Sequence, residues 1–303
     1  MVGGPSIDVV IVAYRSRELL RRCLESLDGY PAGFLRIVVV DNDSRDGTVE
    51  LVRTEFPGVQ VVESGTNVGF ARATNAGIRV GHAPFVLALN PDTSVLTNVL
   101  ERLLEVFNEH PDVGICGCRL VREDGSFDHA SRRSFPTVVS SLGHFTGLGR
   151  RRSASARLTA YRAPGVNEGV VDAVNGAFML MRRAALDEVG LFDEGYWMYM
   201  EDLDLCYRFR EAGWSTWYEP SVVASHAKGG SSGPVRSPRL NYAFHYGMFR
   251  FYRKHYARQS AAALNAVVYA GIFGKLLLSW TRNGLRTHLP SVQRRGSQPN
   301  ARR

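Results

Sequence analysis

No acidic residue follows Glu219 in this 303-residue chain, and that absence divides it. The last 84 residues hold 14 Lys or Arg, while the first 219 hold 23 basic and 29 acidic residues, so the net charge of +8 splits into −6 and +14. A basic end this one-sided calls for an acidic partner. Cysteine is scarce: Cys23, Cys116, Cys118 and Cys206 lack zinc-type spacing, which excludes a zinc module and leaves them as small buried hydrophobes suited to a reducing cytosol. There is no low-complexity tract and no internal repeat, which argues against disorder and repeat arrays. With 45% apolar residues, the chain is long enough for one large α/β domain and a C-terminal appendage. No basic region precedes the first apolar run, so the N-terminus is expected to be a core strand rather than a signal peptide. Neither GxGxxG nor a Walker loop occurs, which excludes a standard dinucleotide dehydrogenase and a P-loop enzyme.

What is present is alternation. Ile7 to Tyr14, Arg36 to Val40, Val59 to Val62 and Phe85 to Leu89 are short apolar runs. Between them, Ser16 to Leu27, Gly47 to Phe56 and Ala71 to Val80 have helical periodicity. This predicts a mainly parallel sheet covered on both faces, with ligands gathered at the carboxyl ends of its strands. A helix at Asn98 to Glu109 and a strand at Val113 to Cys118 continue the pattern. Residues 122 to 168 read as a long irregular segment, expected to be a flexible flap near the acceptor. Order returns with Val170 to Met181, a helix at Arg183 to Val189 and another at Asp202 to Ala212.

Five polar clusters carry the chemistry. Asp41 to Gly47 follows a strand; it reads either as a helix start capped by Ser44 or Asp46, or as a carboxylate accepting from a nucleobase edge. Gly65 to Ala71 is a glycine turn opening a helix, able to bring backbone N–H groups near a diphosphate. Leu89 to Thr93 ends an apolar strand; Asn-Pro-Asp favours a turn, yet Asp92 is placed to bind a hard divalent cation. Glu201, Asp202 and Asp204 crowd a helix mouth behind Tyr196 and Trp197, more acids than complementing a helix dipole requires. His226 precedes Lys228 and two glycines; a lone histidine is more often structural, but this loop suits phosphate or metal.

In this order the clusters resemble the inverting family-two glycosyltransferases of the GT-A fold, particularly the bacterial rhamnosyltransferase-like branch. The resemblance runs from about Ile7 to His255 on the segments VVVDNDSRDGT, NVGFARATNAGI, LALNPDT, VNGAFMLMRR, YMEDLDLCYR and HAKGGSS. It implies an α/β/α sandwich in which Asp41 meets the donor base and Asn42, Asn67, Gly69, Arg72 and Asn90 bind the nucleotide. Asn90 stands where the family's DxD motif has its first acid, a departure that leaves Asp92, with His226, to bind Mg2+ or Mn2+. Glu201 and Asp202 would supply the catalytic base, with Asp202 favoured. Asn175, Gly176 and Ala177 would lie beneath the donor sugar and acceptor. Trp197 and Tyr196 would stack on a sugar ring, unless they are ordinary core. Asp204 would orient the loop or the acceptor, and Lys228 would help offset charge on the leaving group.

The activity implied is inverting transfer from a nucleotide diphosphate donor, best taken as dTDP-rhamnose, onto a membrane-associated, polyprenyl-diphosphate-linked glycan in cell-envelope polysaccharide synthesis. UDP- or GDP-linked galactosyl, mannosyl or N-acetylglucosaminyl donors are the alternative. A sugar nucleotidyltransferase is disfavoured, because Tyr14, Arg15, Ser16 and Arg17 lack its glycine-rich loop. A non-catalytic scaffold, which Asn90 would allow, sits poorly with Asp92, Glu201, Asp202 and His226. The catalytic domain is expected over 1–238, a basic helical membrane-associating region over 239–290 and a disordered tail over 291–303. Tyr242 to His255 is aromatic and basic, and Ala261 to Trp280 is apolar with Lys275 inside it, favouring a helix in the membrane interface over one that spans. About 1 kcal/mol per basic residue near an anionic leaflet would hold the enzyme at the cytoplasmic face of the plasma membrane. No nucleic-acid module accompanies the charge.

Overall fold

The computed structural model describes residues 6–96, 98–136, 168–227 and 237–288, with side chains described as far as 281. Lys228 and its glycines, most of the expected flap and the tail from 291 lie outside the described residues.

Strand β1 (Ile7–Ala13) is buried along its whole length, as a continuous apolar run must be when helices cover both faces of a sheet. Helix α1 (Arg17–Glu25) leads to β2 (Leu35–Asp41), α2 (Thr48–Glu55) to β3 (Gln60–Glu63), and α3 (Phe70–Val80) to β4 (Phe85–Leu89). These four strands are parallel in the order β3-β2-β1-β4. The order reverses at β1, which opens a crevice over the carboxyl ends of β1 and β4.

The other half is mixed. After β5 (Thr93–Val95) come α4 (Val99–Glu109), β6 (Val113–Val121), the two-residue β7 (Arg132–Arg133), then β8 (Gly169–Val171), β9 (Ala173–Val174) and β10 (Phe178–Arg182). Helices α5 (Arg183–Val189) and α6 (Glu201–Glu211) precede β11 (Ser215–His226). The nine-stranded sheet continues β4-β10-β6-β11-β5, with β8 also on β11, and six of its strands share one direction. Because β10 runs antiparallel to β4, with Phe178 opposite Leu89, the residues entering β10 lie beside those leaving β4.

The sequence pattern misses β11. Its stretch STWYEPSVVASH alternates poorly, contains Pro220 and shifts register between Glu219 and Val223, a bulge that breaks the period of two. Glu219, 1% exposed at that bulge, is paired with Arg102 at 3.2 Å. All four cysteines are buried free thiols.

Helix α7 (Pro238–His255) starts at Ser237, whose hydroxyl accepts from the Leu240 N–H, with Pro238 in the first turn. Phe251 belongs to the same core as Val10 and Met179. Arg250 and Lys254 bind Asp193, at 2.8 and 2.7 Å, and His255 binds Asp204 at 2.8 Å. Helix α7 is therefore packed against residues on the other side of the expected boundary at 238. Helix α8 (Ala262–His288) lies antiparallel along α7: the Tyr252 hydroxyl donates to Asn265 and the Ser279 hydroxyl to Asn241. Ile272 and Leu276 are buried, whereas Val267, Phe273, Leu278 and Trp280 are exposed. The stretch Ala262–Thr281, of mean hydropathy 1.5, is long and apolar enough to cross a membrane, and 11% of it is buried.

Candidate active site

At the end of β2, Asp41 is buried, with Oδ2 accepting from the Ser44 N–H at 3.3 Å and Oδ1 left without a partner. Asp46 accepts from the Thr48 N–H at 3.2 Å, one residue ahead of Gly47, which starts α2 with no side-chain cap. A groove of about 550 Å3 opens from Asp41 over Ser44, Arg45, Gly47 and Thr48 to Gly65.

The side chain of Asn42, expected as a nucleotide contact, is engaged within the protein. Buried at 3%, it accepts from the Val68 N–H (2.9 Å) and the Ser64 hydroxyl (3.2 Å), and donates to Asn67 Oδ1 and the Gly69 carbonyl. Every polar position is spent on shaping the Asn67–Gly69 turn. Asn67 Oδ1 also accepts from the Gly69 N–H, at 3.2 Å. Gly69 has φ +88°, and an added Cβ would lie 2.4 Å from the Trp197 carbonyl oxygen, so this turn admits glycine alone. Arg72, exposed on α3, donates from Nε to Glu194, which Arg79 also binds.

Across the crevice, three strands bring two separate residues together. His226 ends β11 opposite Thr93 of β5, which puts the imidazole next to Asp92. Nε2 lies 3.4 Å from Asp92 Oδ1, an oxygen that has no hydrogen bond although it is buried. On the other side, Asp128 Oδ2 lies 3.7 Å from Nδ1. Burial pulls the imidazole pKa down, but the two carboxylates beside it, Asp128 and Asp92, outweigh it and push it up to about 9. A divalent cation fits the pair. Neighbouring donors in one coordination shell, each about 2.1 Å from the ion, are about 3 Å apart, and an unpartnered buried carboxylate oxygen is what a cation satisfies. Asp128 lies in the stretch read as irregular, and no signal in the sequence singled it out.

The antiparallel entry of β10 places Asn175, Gly176 and Ala177 against Asn90. The Asn90 N–H donates to the Ala177 carbonyl at 2.9 Å, which also accepts from the Thr93 hydroxyl, and Asn175 Oδ1 accepts from the Ala177 N–H. On its other side this turn holds Asp202. Asp202 Oδ2 accepts from the Gly176 N–H at 3.1 Å and from Arg133 of β7, and Oδ1 from the Leu203 N–H. A Cβ on Gly176 would sit 3.2 Å from that of Asp202, so the small residue admits the acid-bearing helix to the turn. Tyr199 and Met200, consecutive residues with φ 70° and 72°, swing the chain into α6. Arg15, Asp43 and Arg45 share positive φ at this same edge. Conformations costing about 1–3 kcal/mol each collect where a site demands them.

Glu201, next to Asp202, is buried with Oε2 unpartnered; burial first, and then the Asp202 charge, push its carboxyl up to about 8. Asp204, expected to orient the loop or the acceptor, is bound on the loop side. It is 0% exposed and binds Arg208 (2.8 Å), Lys254 (3.0 Å), His255 (2.8 Å) and the Tyr196 hydroxyl (3.2 Å). It fastens the aromatic loop and α7 to α6. Tyr196 is core at 1% exposed. Trp197 is covered by the Arg239 guanidinium, 4.0 Å from its ring centre, so that face is closed to a sugar.

A divided parallel sheet with acids at its carboxyl edge defines a nucleotide-sugar-type transferase architecture, and the comparisons agree. Residues 8–190 match the model of glycosyl transferase family 2, and the chain belongs to that family. Within it the chain falls in the rhamnosyltransferase-like branch. It is 32% identical, over 79% of its length and 81% of the other's, to N-acetylglucosaminyl-diphospho-decaprenol L-rhamnosyltransferase of Mycobacterium tuberculosis. It is 26% identical, over 72% and 82%, to rhamnosyltransferase WbbL of Escherichia coli K12. In structure it is similar to the mannosyltransferase PcManGT of Pyrobaculum calidifontis, solved with GDP-Man and Mn2+. That match has TM-score 0.57 at 17% identity and covers 98% of this chain and 77% of that one, a likeness of GT-A fold.

Proposed function

We propose that the chain transfers L-rhamnose from dTDP-rhamnose, with inversion, onto a sugar carried by a polyprenyl diphosphate in cell-envelope polysaccharide synthesis. The observation that carries this is the turn Asn175–Ala177, which joins the Asp92 side of the crevice to Asp202. Likeness to the mycobacterial rhamnosyltransferase along most of both chains supports the donor sugar and the lipid-linked acceptor.

Asp41 Oδ1, an acceptor with nothing to accept, takes the imide N–H of a pyrimidine base. Asp202 is the base. It removes the proton from the acceptor hydroxyl as that oxygen bonds to the anomeric carbon, and the bond from that carbon to the diphosphate oxygen breaks on the opposite face. Arg133 and the Gly176 N–H fix the carboxylate for this in-line displacement. When bound at Asp92 and His226, Mg2+ or Mn2+ supplies Lewis-acid stabilisation of the charge on the departing nucleoside diphosphate. The enzyme sits peripherally on the cytoplasmic face of an anionic membrane. The exposed apolar side chains of α8, with exposed Arg253 of α7 and Arg258 just after it, support this reading.

A thermal-shift comparison of dTDP-rhamnose with UDP- and GDP-linked sugars, each with Mn2+, tests the donor, since a ligand for the native state raises the Tm. The expected result is a Mn2+-dependent rise with dTDP-rhamnose, lost in Asp92→Ala. The same response to a UDP- or GDP-sugar alone overturns the donor assignment.

A further inference from the structure

We propose that Asp128 is a positioning residue for the cation site: it holds the His226 ring in one orientation and one tautomer, with the proton on Nδ1 and the Nε2 lone pair aimed at the ion beside Asp92. This rests on the metal reading of Asp92 and His226.

The argument is one of convergence. Strand β11 carries His226 and has β6 on one side and β5 on the other: Ala224 and Ser225 pair with Leu120 and Val121 of β6, and His226 itself pairs with Thr93 of β5. Past β6 the chain turns back in a tight hairpin. The Arg122 N–H donates to the Ser126 carbonyl, Val121 bridges Phe127, and the Asp128 N–H returns to the Leu120 carbonyl at 2.9 Å. That return sets Asp128 beside His226 on the face away from Asp92. The Ala227 N–H donates to the Asp92 carbonyl at 2.8 Å, which locks the opposite face. The imidazole thus stands between two carboxylates, with Nε2 3.4 Å from Asp92 and Nδ1 3.7 Å from Asp128.

The two carboxylates are not equivalent. Asp128 is 1% exposed, and its Oδ1 accepts from the Ala130 N–H at 3.1 Å, so the hairpin itself orients the group. Asp92 lies on the crevice side, in the turn that leaves β4 beside Asn90. Its Oδ1 is unpartnered. A metal-binding histidine needs its second nitrogen anchored, because an imidazole free to rotate or change tautomer presents the lone pair only part of the time. The Asp128–Nδ1 gap is longer than a hydrogen bond, and a small swing of the carboxylate closes it. In the sequence, Asp128 is 36 residues from Asp92 and 98 from His226, so no motif contains all three.

The test measures Mn2+ binding, by electron paramagnetic resonance, to full-length protein in the presence of dTDP and, in parallel, UDP. Wild type, Asp128→Ala, Asp128→Asn, His226→Ala and the double variant Asp128→Ala/His226→Ala are compared, with the metal-free Tm of each recorded. Asp128→Ala is expected to bind Mn2+ about 10- to 100-fold more weakly. Asp128→Asn, whose carbonyl still accepts from Nδ1–H, is expected to fall between that and wild type. The double variant is expected to bind as His226→Ala does, because Asp128 acts only through that ring. Unchanged affinity in a folded Asp128 variant, or effects that add in the double variant, overturns the role of Asp128 alone. A wild type that binds no Mn2+ with either nucleotide overturns the metal reading as well. If Asp128→Ala does not fold, the isosteric Asp128→Asn decides: wild-type affinity at pH values spanning neutrality, together with additivity with His226→Ala, counts against the proposal.

Discussion

The two halves of the sheet build their shares of the site by different means. On the β1–β4 side, each polar group follows directly on a parallel strand. The turn from Asn67 to Gly69 is shaped by backbone N–H groups and one buried amide, Asn42. On the β6–β11 side the groups come from far apart: Arg133 reaches Asp202 across 69 residues, and Asp204 collects partners from α7. In the proposed mechanism the first half is a local scaffold for the nucleotide, and the second is an assembly of long-range side-chain pairs that holds the catalytic carboxylate. Binding and turnover should therefore separate when each half is perturbed.

The largest effect is expected from Asp202→Asn. Loss of a general base should lower kcat by about 10²–10⁴-fold while the donor-induced thermal shift stays as in wild type. A shift lost along with kcat would break the division between the halves. Asp92→Ala should do the reverse to binding: donor KM rising about tenfold or more, and the metal-dependent part of the thermal shift disappearing, as measured by paired titrations with and without Mn2+.

Next comes Asp204→Asn, which tests the second half as a load-carrying assembly. Burial pushes the Asp204 carboxyl up, but His255, Lys254 and Arg208 hold it well below the ordinary carboxylate range. A depressed pKa contributes stability that is present above the unfolded value, near 4, and is lost as pH falls towards the folded one. The substitution should cost about 3–5 kcal/mol at neutral pH and flatten the acid limb of a Tm-against-pH series. The smallest change sharpens the first half. Gly69→Ala meets a backbone oxygen at positive φ, and should cost about 1–3 kcal/mol in a denaturant melt while weakening the donor more than it slows turnover.

How much of this could be read in the sequence follows the same division. Strands β1 to β4 and helix α5 fall where apolar runs and helical periodicity place them, because a doubly covered parallel strand writes its burial as an unbroken run. Asp41, Asp92 and Asp202 are legible for a related reason, since each sits where a local element begins or ends. Strand β11 is not legible: its bulge, Pro220 and buried Glu219 erase the alternation, and with it the register that delivers His226 to Asp92. The internal partners of Asn42 and Asp204 are likewise not legible, because they come from the Asn67–Gly69 turn and from α7, and only packing brings them together. Asp128 had no local signature, because its role depends on a hairpin and a strand 98 residues from its partner.

The short 3-10 turn Ala257–Gln259, between α7 and α8, has a practical side. A preparation ended near residue 260 sheds the exposed apolar face of α8 and keeps Arg250, Lys254 and His255 on their acids. One ended at 237, where composition alone would place the cut, strands Asp193 and Asp204 without those cations and takes Gly247 away from the Tyr199 carbonyl it packs against. The same turn is the natural point at which to graft a cleavable linker, so that one purified batch can be compared with and without its exposed apolar helix.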